Sequence, residues 1–123
     1  MRALLVGLVC VCSAACGSST GPIGGRLVVH AAPPELRLTN QSPAPVYVFV
    51  IESELAIRAN WAPCTDPAQC RSIPVGITEE LAYTDIAGYT ASATRAIVYW
   101  WHLVPGEGGG FTPDSIRAVG VEL

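Results

Sequence analysis

The most reactive side chains in this sequence are its five cysteines, and their positions place them in three groups. Cys10 and Cys12 lie inside an unbroken apolar run, Cys16 follows two alanines, and Cys64 and Cys70 lie in the body with five residues between them. A thiol can be acylated, can bind a metal or can pair in a disulfide, and its surroundings decide which. We therefore expect the chemistry of the cysteines to differ from group to group.

The apolar run has the length of a signal peptide rather than of a membrane span. It covers residues 3–12, follows the positive charge of Arg2 and ends in small residues. A spanning helix needs about 20 apolar residues, whereas a signal-peptide core needs about 7–15. We expect residues 1–15 to be a cleaved signal and residues 16–25, which are rich in glycine and serine, to be a flexible tether.

The residues that end this run, Ser13-Ala14-Ala15-Cys16, resemble the lipobox of bacterial lipoproteins. In that family, two small residues precede a cysteine that takes a thioether-linked diacylglycerol and becomes the new N-terminus. The resemblance implies lipidation of Cys16 with palmitate-type chains, the membrane as a partner and a place in the bacterial cell envelope. By the same resemblance, glycine rather than aspartate after Cys16 favours the outer membrane over the inner. The alternatives are an ordinary secretory signal, which releases a soluble protein, and an uncleaved anchor.

Cys64 and Cys70 form an even pair in a domain that we expect to be exported, where disulfides form and persist. An Asp-Pro turn lies between them. The sequence therefore predicts a disulfide, with free or metal-binding thiols as the alternative. Residues 61–64, Trp-Ala-Pro-Cys, resemble the start of a thioredoxin active site, but redox catalysis there needs only two residues between the cysteines.

Few other residues have the spacing that a metal or an enzyme needs. His30 and His102 lie on separate predicted strands, and a zinc or copper site needs three or four convergent ligands. Glu52 and Glu54 would lie roughly 6–7 Å apart on one strand face, which suits a glycosidase pair and equally suits a solvated strand end. The sequence pattern indicates no catalytic nucleophile with a neighbouring base. The glycine-rich residues 106–110 are typical of a hairpin turn. We expect a non-enzymatic protein without a metal or cofactor.

The aromatic residues Tyr99, Trp100 and Trp101 form the most distinctive cluster. If they lie on a strand, Trp100 and Trp101 point to opposite faces of the sheet. One indole could then be partly exposed, with Tyr47 or Phe49 beside it, as a binding surface for a sugar or a protein. Alternatively, the disulfide loop or the glycine-rich hairpin covers both indoles.

Composition predicts a single β domain. The 123 residues are half hydrophobic and 14% charged, with a net charge of −3, 12 glycines and 10 prolines. This is too much glycine and proline for a helical bundle. A mildly acidic chain without a basic stripe also argues against nucleic acid as a partner.

Hydrophobic patterning predicts six or seven short strands. Residues 46–51 and 97–104 are apolar on both faces, which indicates central strands, and residues 52–60 are interpreted as a further strand in preference to a short helix. Strands at a spacing of 8–12 residues favour an all-β fold, a small antiparallel β-sandwich over residues 26–123. It resembles an immunoglobulin or fibronectin-III domain in architecture, without the Cys…Trp…Cys spacing. The remaining predicted strands cover 27–29, 35–40, 77–84 and 115–123.

Two functions follow as hypotheses. The first is a lipid-anchored cell-envelope protein whose domain is structural or interacts with an envelope protein or a glycan. The alternative is a small carbohydrate- or peptide-binding module that uses the aromatic residues of strand 99–101 with Arg95 or Glu52. The exposed area of Trp100 and Trp101 distinguishes the two hypotheses.

Overall fold

The computed structural model describes residues 23–123. The predicted signal peptide of residues 1–15 and the predicted lipidation site Cys16 lie outside the described residues. The described chain forms nine strands, a four-residue helix α1 and a single 3₁₀ turn at Tyr83–Asp85. In chain order the elements are β1 (Arg26–Ala32), β2 (Glu35–Gln41), β3 (Val46–Glu52), α1 (Ser53–Ala56), β4 (Ser72–Ile73), β5 (Thr78–Ala82), β6 (Arg95–Trp101), β7 (Leu103–Pro105), β8 (Phe111–Pro113) and β9 (Arg117–Glu122).

The strands form three antiparallel sheets, ordered β1-β2-β5, β4-β3-β6-β9 and β7-β8. The two strands predicted to be central, β3 and β6, are neighbours in the middle of the four-stranded sheet, with Tyr47 opposite Trp101 and Glu52 opposite Ala96. The prediction of a mostly β, antiparallel domain is therefore confirmed.

One buried hydrophobic cluster joins the two larger sheets. The four-stranded sheet contributes Val48, Val98 and Trp100, and the three-stranded sheet contributes Leu36 and Leu38. The strand predicted over residues 35–40 has the expected alternation of buried and exposed side chains. Leu36 and Leu38 are fully buried, and Arg37 between them is exposed. Burial of such side chains contributes about 1.5–3 kcal/mol each, so this cluster is the main source of stability.

The strand predicted over residues 52–60 is wrong, since the chain turns into helix α1 there. The two carboxylate oxygens of Glu52 accept hydrogen bonds from the backbone N–H groups of Glu54 and Leu55, each at 3.0 Å. A carboxylate that caps the first turn satisfies donors that a helix start leaves unpaired. A local side-chain contact thus outweighs the weak alternation of Leu55 and Ile57.

The strand predicted over residues 97–104 is interrupted at His102. The His102 N–H donates to Asp114 Oδ1 at 2.9 Å, and the Asp114 N–H donates to the His102 carbonyl at 3.0 Å. These bonds divert the chain from the four-stranded sheet into the β7-β8 hairpin. The predicted wide glycine-rich loop is the turn of that hairpin.

Antiparallel pairing gives the molecule two distinct ends. The Ile23 end comprises residues 23–25, 42–45, 74–77 and 103–116, which lie where β3 begins and β6 finishes. The opposite end comprises residues 53–59 and 86–94, which lie where β3 finishes and β6 begins.

Candidate functional site

A polar pocket of about 460 Å³ lies at the opposite end, between α1 and the segment that leads into β6. Its charged side chains are Glu52, Glu54, Arg58 and Arg95. Strand β3 brings Glu52 to the pocket and the first residue of β6 brings Arg95, so both charged residues named in the binding hypothesis line it. The Arg95 guanidinium itself lies over Gly120 of β9.

Hydroxyl groups line the same pocket, at Ser53, Thr90, Ser92 and Thr94. The Ser53 hydroxyl is buried and has no hydrogen-bond partner among the described residues. A buried hydroxyl without a partner costs free energy.

The backbone of Gly88 shapes the wall of the pocket. Its φ of +75° lies in the left-handed region, and a Cβ there would overlap the Leu55 side chain. Only glycine, which has no Cβ, can adopt this φ without strain and avoid the overlap with Leu55. The loop that carries Thr90 and Ser92 can therefore approach α1 closely.

The capping role of Glu52 decides its chemistry. Hydrogen bonds from the backbone N–H groups of Glu54 and Leu55 hold the pKa of Glu52 below its usual value of 4.5, and the charge of Arg58 acts in the same direction. A glycosidase acid needs a raised pKa. Glu52 is therefore suited to accept hydrogen bonds as a carboxylate and not to donate a proton.

Cys64 and Cys70 are joined by a disulfide, as the sequence predicts. The loop that they close lies against the outer face of the four-stranded sheet, where the Cys64 carbonyl accepts a hydrogen bond of 3.1 Å from the Trp101 indole. Trp61 lies beside this loop and packs on the rings of Phe49 and Tyr99, with centroid distances of 4.9 and 4.7 Å.

Trp100 and Trp101 do point to opposite faces, but both are buried, with 4% and 1% of their surface exposed. Trp61 and the disulfide loop cover Trp101. Trp100 faces the core, where the Arg117 guanidinium lies 4.5 Å from its ring centroid and the His102 ring meets it edge-on. Of the two arrangements left open by the sequence, the structure has the covered one.

Replacing both Cys64 and Cys70 by alanine should lower the free energy of unfolding by about 2–2.5 kcal/mol, because the open loop gains conformational entropy in the unfolded chain. Urea unfolding followed by tryptophan fluorescence measures this change. Reduction of the native protein should give the same loss, and an unchanged unfolding midpoint would contradict the assigned role of the loop.

A second cluster, which the sequence analysis missed, joins Ser42, His102 and Asp114 in the interior. Ser42 Oγ lies 2.8 Å from His102 Nε2, and His102 Nδ1 lies 3.2 Å from Asp114 Oδ2. This is the order of atoms in a serine-hydrolase triad. No local spacing could have revealed it, because 60 positions separate Ser42 from His102.

The surroundings of this triad-like cluster favour a structural role. Ser42 is only 5% exposed and His102 is fully buried, so a substrate has no access to the hydroxyl. Ser42 Oγ also lies 2.6 Å from Asn40 Oδ1 and 2.9 Å from the Ala44 carbonyl. Both of these oxygens can only accept, so the single hydroxyl proton has acceptors other than the histidine.

Asp114 is the centre of the cluster. It accepts hydrogen bonds from the backbone N–H groups of His102, Ser115 and Ile23 and lies 3.3 Å from Arg117 Nη2. Burial by itself would raise the pKa of Asp114, but these N–H donors and the Arg117 charge outweigh it and lower the pKa to about 2. Burial lowers the pKa of His102, against the opposing influence of Asp114.

Stability should fall with acid in two stages. His102 has a lowered pKa in the folded protein, so the unfolded chain binds a proton more readily as the pH drops below about 6.5. Ionised Asp114 contributes about 2 kcal/mol above pH 4, and this contribution should disappear between about pH 4 and pH 2. Urea unfolding across this pH range measures both stages. The second stage should be absent in Asp114→Asn, and a flat profile in the native protein would contradict the assignment.

Ile23, within the predicted tether, is held by the same cluster. Its N–H donates to Asp114 Oδ2 at 2.9 Å, and its carbonyl accepts from Arg117 Nη2 at 2.9 Å. The chain therefore enters the domain at a fixed point on the Ile23 end, away from the polar pocket.

Within residues 23–123 no group of three or more His, Cys, Asp or Glu side chains is arranged to hold a metal ion. No helix in the described part of the chain is long and apolar enough to cross a membrane.

The chain was also compared with known proteins. Comparison with protein-family models, with curated proteins and with solved structures found no match.

Proposed function

We propose that this chain is a lipid-anchored protein of the bacterial cell envelope, whose non-enzymatic domain has a structural or interaction role. The observation that supports this most is the position of Ile23, fixed by Asp114 and Arg117 at the end opposite the polar pocket. The seven peptide links from Cys16 to Ile23 span at most about 25 Å. A lipid on Cys16 would therefore hold the Ile23 end near the membrane and leave the pocket facing away from it.

The anchor itself rests on the Ser13-Ala14-Ala15-Cys16 motif. One acyl chain binds a membrane only marginally, whereas each buried CH₂ adds about 0.8 kcal/mol. Three chains on Cys16 would bind almost irreversibly. The outer membrane remains our preferred location, because glycine follows the cysteine.

The finer fold is also a proposal: the two larger sheets would form an immunoglobulin-like sandwich. Immunoglobulin domains place strands A, B and E in one sheet and C, F and G in the other. In the present chain, β1-β2-β5 would correspond to A, B and E, and β3-β6-β9 would correspond to C, F and G. Strand β4, beside β3, would be an added strand of the second sheet.

A carbohydrate- or peptide-binding role is the second candidate, and the polar pocket favours it. Carboxylates and guanidinium groups can bind hydroxyl-rich or zwitterionic ligands. With Trp100 and Trp101 buried, Glu52 and Arg95 would carry the recognition. A glycan and peptide array probed with the full chain tests this role: Arg95→Ala should abolish any binding, whereas Arg37→Ala, on the three-stranded sheet, should not.

The test of the main proposal uses labelled palmitate in cells that express the full chain. Cys16→Ser should remove the label and release the protein from the membrane fraction. Cys12→Ser is the matched control, because Cys12 lies within the predicted signal, and it should keep the label. Label retained in Cys16→Ser would refute the anchor.

A further inference from the structure

The exposed apolar side chains of the described domain are concentrated at one end. Five large hydrophobic residues are highly exposed among residues 23–123. Only Ile57 belongs to the opposite end, next to α1. The other four are between 46% and 51% exposed and belong to the Ile23 end, namely Val75, Ile77, Phe111 and Ile116.

The strand pairing explains why these four residues share an end. Val75 and Ile77 flank the turn from β4 to β5, and this turn is tied to the end of β2 by two backbone bonds between Ile77, Gly76 and Asn40. Phe111 belongs to the hairpin that leaves β6, and Ile116 precedes β9. All of these chain segments therefore lie at the Ile23 end, where a hydrogen-bonded series runs from Asn40 through Ser42 and His102 to Asp114.

The same end is poor in exposed charge. Within residues 23–25, 42–45, 74–77 and 103–116 the charged residues are Glu107 and Asp114, and Asp114 is buried beside Arg117. Arg26, at the start of β1, adds a cation at the margin. The opposite end, by contrast, carries the four charged residues of the polar pocket.

We infer that the Ile23 end is a membrane-contact surface, in which Val75, Ile77, Phe111 and Ile116 insert among lipid headgroups and upper acyl chains. This inference rests on the proposed anchor at Cys16. Solvent-exposed apolar side chains that are concentrated on one surface mark an interaction site. The short link from Cys16 to Ile23 keeps this particular end near a bilayer, and a surface with few exposed charges can enter the headgroup region.

The domain is therefore oriented by two contacts and not by the tether alone. The lipid holds Cys16, and the apolar end rests on the bilayer surface. The polar pocket then opens toward the aqueous side, where a soluble ligand or a neighbouring envelope component reaches it.

The test places an indole at each end of the full lipidated chain. Phe111→Trp reports on the Ile23 end, and Ile57→Trp is the matched control at the opposite end, since both positions are exposed. Each variant is reconstituted in vesicles of phosphatidylethanolamine and phosphatidylglycerol that contain brominated phosphatidylcholine, a quencher of indole fluorescence. The emission added by the indole at position 111 should be quenched at least twofold more than the emission added at position 57.

The outcomes separate this inference from the proposed anchor. Vesicle flotation shows first whether the lipidated chain is bound. Flotation with equal quenching at the two positions would overturn the membrane-contact surface and leave the anchor intact, as expected if a protein partner covers that end. Failure of the chain to float would overturn the anchor and the inference together.

Discussion

Replacing Asp114 by alanine should lower the free energy of unfolding by about 3–5 kcal/mol, the range found when one partner of a buried charged pair is removed. The substitution would leave the N–H groups of His102, Ser115 and Ile23 without their acceptor, together with the Arg117 guanidinium. Domains are stable by only about 5–15 kcal/mol. We therefore expect a partly unfolded population at 37 °C, measured by urea unfolding at neutral pH.

The control for this substitution is Asp85→Ala, at an exposed aspartate of the 3₁₀ turn. Its effect should stay within about 0.5 kcal/mol, as for most surface changes. Equal effects of the two substitutions would show that Asp114 is not the centre of the buried cluster.

Replacing Trp101 by alanine should cost about 3–5 kcal/mol, because it leaves a large cavity between the four-stranded sheet and the disulfide loop. The loss includes the hydrogen bond to the Cys64 carbonyl and the contact with Trp61. Phe111→Ala removes an aromatic ring that is 48% exposed and should cost about 1 kcal/mol or less. Denaturant unfolding of both variants measures the difference. A small effect at Trp101 would mean that the loop does not seal this face.

The strands that carry the core could be predicted from the sequence. Residues 46–51 are apolar on both faces, so a position at the edge of a sheet would expose hydrophobic side chains to water. They form a central strand. The alternation of Leu36 and Leu38 with polar neighbours likewise gave their burial correctly. In both cases the signal lies in adjacent residues, and hydrophobic burial is the largest favourable contribution to folding.

The errors occur where polar groups decide the local structure. Alternation over residues 52–60 favoured a strand, but the Glu52 carboxylate caps a helix instead. The break at His102 depends on Asp114, and the cluster around it depends on Ser42, residues far apart in the chain. Such contacts form only once the sheets have assembled, so hydrophobic periodicity carries no signal for them.

The candidate site was predictable only in part. The disulfide followed from an even pair of cysteines in a chain that the sequence predicts to be exported. Glu52 and Arg95 were named, but their pocket depends on α1 and on the positive φ of Gly88, which no local pattern indicated. The aromatic strand drew attention to Trp100 and Trp101, whereas the exposed hydrophobic residues are at the Ile23 end.

The intact mass and N-terminal sequence of the protein extracted from membranes show whether Cys16 carries a lipid. We expect a chain that begins at Cys16, carries a thioether-linked diacylglycerol and an amide-linked acyl chain, and retains the disulfide between Cys64 and Cys70. A mature chain that begins at another residue, or one with an unmodified Cys16, would contradict it.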